Sequence, residues 1–210
     1  MVEPTGQAGP RAAREAPRGG EGRPLRPGAL VGLASLFYAA LLSAALGWSA
    51  LSGRALLYAS PAGRARGIDW PFDLAAGALA GAGAILVSAA FTRATPWGRE
   101  LALALGALLG RLPLGACLLL AGMSGVAEEA FFRGALQPRV GLFWASLAFG
   151  AAHFAPRREL LLWTLFSVAA GLLLGWLFES TGNLVAPVVA HALINAVNLR
   201  VIALRYAAGR

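Results

Sequence analysis

Apolar residues run through this chain in long blocks, without the regular polar interruptions of a half-buried surface helix or strand. The blocks cover about residues 28–51, 74–92, 101–123, 140–154, 160–179 and 183–204. A helix needs roughly 20 apolar residues to cross a hydrocarbon core. The pattern therefore predicts an all-α, polytopic transmembrane bundle of six to eight helical segments, with nothing resembling the alternating strands of a membrane barrel. The block at 101–123 contains Arg111 and Pro113 and is expected to be kinked or split in two. The block at 140–154 is short for a full crossing, so it should extend into a loop or sit within the bundle.

The links between blocks are polar. The first, after residue 51, carries Arg54, Arg64, Arg66, Asp69 and Asp73. Residues 1–27 hold Gly, Pro, Ala, Arg and Glu with hardly any large apolar residue, a composition that predicts a disordered tail. It does not read as a signal peptide, because its charged lead is long and the next apolar run exceeds an h-region of about 7–15 residues. A single transmembrane domain is expected over 28–210.

Composition sharpens this picture. The 210 residues are 58% hydrophobic and 13% charged, against roughly 25% charged in ordinary globular domains, with a mean hydropathy of +0.64. The net charge of +8 comes from 18 basic residues, every one of them arginine. Most lie between apolar blocks, as loop charges of membrane proteins do. No basic face with a soluble fold behind it is visible, which excludes nucleic acid as a partner. The tail's five arginines favour a cytoplasmic N-terminus. The composition resembles that of a bacterial membrane protein, so the expected location is a bacterial inner membrane.

Cys117 is the one cysteine, so no intramolecular disulfide can form, and in its apolar run it reads as a small hydrophobe. Glycines four apart recur at 28/32, 77/81, 106/110 and 171/175. Small-residue helix packing explains them, but 27 glycines would give about as many pairs by chance.

Against this background the embedded polar residues stand out: Glu128, Glu129 and Arg133 in "EEAFFR", His153 in "FGAAHF", and His191 and Asn195 in "AHALIN". Ionisable groups inside membrane segments face a bundle interior or a wet cavity, and by default suggest function. Glu129 and Arg133 are four apart with the acid first, the favourable order for a helical ion pair. Glu128 lies about 100° round the same helix and has no such local partner, which makes it a candidate general base. His191 and Asn195 share one helix face, as do Phe149 and His153, where the ring can wall off the imidazole. Gathered into one cavity, Glu128, His153, His191 and Asn195 outline a hydrolytic site: a carboxylate and an imidazole to deprotonate water, and an imidazole and an amide for an oxyanion. No serine or cysteine stands beside a histidine, so a covalent nucleophile is not indicated. Glu179, in "WLFESTGN", reads as an interfacial residue.

Each residue alone has an ordinary explanation. A charged helix end with a snorkelling arginine accounts for the first motif, a satisfied buried side chain for either histidine, and packing for Phe149. Their joint occurrence favours the constellation.

"EEAFFR", "FGAAHF" and "HALIN" resemble, in order, the motifs Glu-Glu-x-x-x-Arg, Phe-x-x-x-His and His-x-x-x-Asn of the CPBP intramembrane proteases, the family of the type II CAAX prenyl endopeptidase. The likeness covers about residues 115–200. It implies an α-helical membrane protease whose cavity opens to lipid and whose membrane-associated substrates are cut near a C-terminus. Glu128 would activate water with His153 as its partner, His191 and Asn195 would form the oxyanion site, and Glu129 and Arg133 would support the first motif. Zinc remains an alternative, with Glu128, His153 and His191 as ligands. The metal-free, cofactor-free reading is preferred, since one glutamate does not comfortably serve as ligand and base.

Two other functions compete with proteolysis. One is a non-catalytic membrane binding or immunity protein; the other, ranked last, is a transporter using the buried charges as an ion path, for which no internal repeat is apparent. Within the protease reading, a C-terminal sorting tail competes with a prenylated CAAX peptide as substrate.

Overall fold

A computed structural model describes residues 26–207. Up to residue 25, the expected disordered tail lies outside the described residues. Eight α-helices are present among them: α1 (Pro27–Ser52), α2 (Pro61–Arg66), α3 (Trp70–Ala94), α4 (Pro96–Leu109), α5 (Leu114–Glu129), α6 (Gln137–Ala152), α7 (Leu161–Thr181) and α8 (Val185–Arg205). A π-helical segment, Ala130–Leu136, joins α5 to α6, and one 3₁₀ turn, Arg158–Leu160, precedes α7. This is the all-α bundle that the apolar blocks predict. Five helical runs are long and apolar enough to cross a membrane.

Local chemistry places the boundaries. Proline occupies the first turn of α1, α2, α3, α4 and α6, where its missing N–H costs nothing. The 101–123 block divides around Arg111 and Pro113, giving the short α4 and then α5. The 39-residue run Leu114–Ala152 is not one rod. Gly141, with φ 82°, breaks it; α5 packs on α8 and α1, whereas α6 turns back along α7. That return makes the 140–154 block a pass within the bundle.

Glycine sets how closely two helix pairs approach. A Cβ on Gly77 would meet Ala186 O of α8 at 2.5 Å, and one on Gly81 would meet Ala190 O at 3.1 Å. Gly171 and Gly175 receive α6 in the same way through Ser146, Leu142 and Gln137. Gly28 and Gly32 meet nothing within 4 Å, so that pair serves no helix contact among the described residues.

Two ends of the bundle can be distinguished. At one, the starts of α1 and α5 meet the end of α8 around Leu112, Cys117, Leu120 and Ala203. At the other, the α1–α3 link pairs with the α7–α8 turn: Leu184 N–H donates to Leu57 O at 2.9 Å and Ala59 N–H to Gly182 O at 3.0 Å. Asp73, read from sequence as a link charge, is buried in the first turn of α3. It accepts from Asn183 Nδ2 at 2.7 Å, and Asn183 Oδ1 caps α8 through Val185 N–H at 2.9 Å. The sequence reading missed this clamp because its partners, one on α3 and one in the α7–α8 turn, lie 110 residues apart.

Gly77→Leu should overpack the α3–α8 seam and destabilise the fold by about 1–3 kcal/mol. Gly28→Leu should change stability by less than about 0.5 kcal/mol. Thermal unfolding of both variants in one detergent checks the contrast.

Candidate active site

The site forms where α5 gives way to the π-helical segment. A π turn inserts an extra residue per turn and is frequent at functional sites. Here it follows directly on Glu128 and Glu129, the last two residues of α5. Glu129 is fully buried, Arg133 is 1% exposed, and Arg133 Nη1 meets Glu129 Oε1 at 2.8 Å. The i,i+4 ion pair expected from spacing is thus present. Arg133 Nη2 also donates to Gly171 O of α7 at 3.1 Å, and its guanidinium lies 4.4 Å from the centre of the Phe149 ring.

Glu129 does more than hold its own helix. Its Oε1 meets His191 Nδ1 at 2.7 Å. A carboxylate only accepts, so this Nδ1 carries the proton and Nε2 is left to face the cavity. His153 is oriented by a different group with the same result: Nδ1 lies 2.8 Å from Phe149 O, a carbonyl that must accept. Both Nε2 atoms turn towards Glu128 Oε2, at 3.7 Å from His153 and 3.9 Å from His191. Glu128 Oε2 is buried without a hydrogen-bond partner. Three acceptor atoms therefore converge on one small space, spaced too widely to bond directly and closely enough to hold a small polar molecule between them.

Phe149 is buried and packs against both imidazoles, with ring centroids 4.5 Å from His153 and 5.8 Å from His191. Asn195 lies one turn beyond His191 on α8 and donates Nδ2 to Ser124 Oγ at 2.8 Å. Ser124 is itself one turn before Glu128 on α5. The structure thus gathers Glu128, His153 and His191 around one point, stacks Phe149 beside them, seats Glu129 and Arg133 beneath, and holds Asn195 at the adjacent turn.

A cavity of about 270 Å³ reaches Glu128 and His153, lined also by Phe37, Tyr38, Leu41, Phe132, Ala152 and Trp163. Phe37 and Leu36 on α1 are exposed on the outer surface, so this wall borders the lipid. Tyr38, Ser124 and Trp163 are site neighbours that the sequence reading missed. Each stands in an apolar run, and only Ser124 has a helical spacing, four before Glu128, that would have exposed it. Glu179 stands apart on the exposed end of α7, accepting from Gln137 Nε2 at 2.9 Å.

Among the described residues, no three His, Cys, Asp or Glu side chains are arranged to hold a metal ion. In the alternative ligand set, Glu128 Oε2 stands 3.7 Å from His153 Nε2 and 3.9 Å from His191 Nε2.

Residues 110–197 match the family model described as Type II CAAX prenyl endopeptidase Rce1-like. A Bacillus subtilis (strain 168) protein named Uncharacterized protein YpbD is 51% identical over 73 residues, which are 34% of this chain and 37% of that protein. The chain therefore spans little more than a third of that curated relative in the matched region. No solved structure matches the chain significantly.

Arg133→Met should destabilise the fold by about 3–5 kcal/mol, because it leaves the Glu129 carboxylate buried and uncompensated. Combining it with Glu129→Leu should recover much of that loss, in spite of the His191 contact. Chemical or thermal unfolding of the single and double variants in detergent checks this.

Proposed function

Because residues 110–197 match the family model described as Type II CAAX prenyl endopeptidase Rce1-like, we propose that this chain is an intramembrane endopeptidase that hydrolyses a peptide bond near the C-terminus of a membrane-associated peptide or protein. The observation that carries the reading is the convergence of His153 Nε2 and His191 Nε2 on the partnerless Glu128 Oε2 beside an apolar cavity.

The residues divide the chemistry as follows. Glu128 takes a proton from a water held between it and the imidazoles, and the resulting hydroxide adds to the scissile carbonyl carbon. His191, in its imidazolium form, offers Nε2–H to the oxyanion while Glu129 holds its Nδ1–H. The Asn195 amide has a second N–H beyond the one given to Ser124 and supplies the other oxyanion donor. When the carbon–nitrogen bond breaks, the proton taken from water passes through Glu128 or His153 to the leaving amine. The products are a new C-terminal carboxylate and an amine.

Metal is not needed for these roles. Proteolysis by the purified protein should therefore survive dialysis against a strong chelator; activity lost on chelation and restored by zinc would overturn the metal-free form.

The arginines bear on orientation. The bundle end holding the start of α1 carries Arg26, Arg93, Arg99, Arg111, Arg157, Arg158 and Arg205, while the opposite end carries Arg54, Arg64, Arg66 and Arg139. From the positive-inside tendency we infer that the first end faces the cytoplasm. The proposed location is an inner cell membrane.

Comparing membrane-protein C-termini in cells with the native chain and with Glu128→Gln, by terminal-peptide mass spectrometry, tests the function. A set of uncut tails should accumulate in the variant, with kcat on any such tail down at least about 100-fold. Identical termini at equal protein level would overturn catalysis and favour a non-catalytic binding or immunity role. The tails themselves separate prenylated peptides from C-terminal sorting sequences.

A further inference from the structure

α1 lies outside the segment that matches the family model, yet one of its side chains enters the site. Tyr38 is half-buried and lines the same cavity as Glu128 and His153. Its side chain stands in the cavity wall beside Glu128, and Ser124 lies one turn before Glu128 on α5. Tyrosines in membrane helices commonly anchor at the water interface, but Tyr38 stands near the middle of α1 (Pro27–Ser52), far from either end. At that depth a hydroxyl must find its partner within the protein.

The surrounding groups leave Glu128 in want of a donor. Glu128 Oε2 is buried without a donor, and the Nδ1–H groups of both histidines are committed elsewhere. Ser124 Oγ accepts from Asn195 Nδ2 at 2.8 Å and donates to Ala121 O at 3.1 Å. A serine hydroxyl can rotate between that carbonyl and a phenol oxygen. A phenol is well suited to this place: it donates one hydrogen bond to a carboxylate and brings no charge into an apolar wall. Phe37 and Leu41 flank it along the cavity, and α1 packs chiefly on α5 and the π-helical segment, the two elements that carry the first motif.

We propose that Tyr38 is a positioning residue of the site: its hydroxyl donates to the Glu128 carboxylate and rests against Ser124, tying the base to the Asn195 amide through one run of hydrogen bonds. This rests on the reading of Glu128 as the base. It makes α1 part of the catalytic apparatus as well as a lipid-facing wall.

Two measurements test it. The chain has three tyrosines, so uniform 3-fluorotyrosine labelling of the full protein in nanodiscs gives three ¹⁹F resonances, with that of Tyr38 assigned by its loss in Tyr38→Phe. Glu128→Gln should shift the Tyr38 resonance well beyond its linewidth and leave those of Tyr58 and Tyr206 in place; an unmoved Tyr38 resonance would overturn the contact. On a substrate tail identified as above, Tyr38→Phe should lower kcat about 10- to 100-fold with KM and melting temperature unchanged, the signature of a misplaced reacting group. Native kcat in Tyr38→Phe would overturn the positioning role while leaving the protease reading standing. A Tyr38 resonance that responds to Glu128→Gln in a protein that cuts no tail would uphold the hydrogen bond and overturn the protease reading instead.

Discussion

Arg133 and Glu129 meet at 2.8 Å inside the bundle with almost no exposure, and taking either ion out of water alone would cost several kcal/mol. That cost is offset where further donors and acceptors are engaged, and here most of them reach across the fold, with Glu129 Oε2 left without a partner. Arg133 extends to the Gly171 carbonyl and the Phe149 face, and Glu129 Oε1 also receives His191. One ion pair thereby ties α5, α6, α7 and α8 to a common point. A change in any of these helices moves the charge away from its partner, so the pair specifies the packing as much as it depends on it.

The same constraint separates the two adjacent glutamates. Glu129 is consumed by structure, with an arginine and a histidine on a single oxygen. Glu128, turned about 100° round the helix, is left facing two Nε2 atoms and a cavity. Neutralising one carboxylate lets its neighbour remain available for chemistry in a medium that tolerates few free charges. Close helix contact supports this arrangement from either side. Gly77 and Gly81 admit α8 against α3, and Gly171 and Gly175 admit α6 against α7. Asp73 and Asn183 secure the start of α8, six to ten residues before His191 and Asn195 enter the site.

Much of this could be read along the chain where the relevant partners are close in sequence. The Glu129–Arg133 pair, the shared face of Phe149 and His153, and the break around Arg111 and Pro113 all follow from helix periodicity or proline chemistry, which act over three or four residues. The buried role of Asp73 did not, because a carboxylate in a short polar link looks the same whether it meets water or an asparagine from a distant turn. Nor did the neighbours of the site. Tyr38 and Trp163 sit in apolar runs, where a tyrosine or tryptophan is ordinary, and only the approach of α1 and α7 to α5 brings them to Glu128.

The sequence by itself determined the class of the molecule and the inventory of its site. Long apolar blocks with few charges admit only membrane helices, since backbone polar groups in lipid must be satisfied within the segment, and the few ionisable residues inside those blocks had to be the costly, purposeful ones. Tertiary structure decided which of them meet. Glu129 found His191 from 62 residues away, and Asn195 found Ser124 from 71. Periodicity sets only the face on which a side chain stands; which face lies opposite is settled by packing, through glycine seams and the need of each buried charge for a partner.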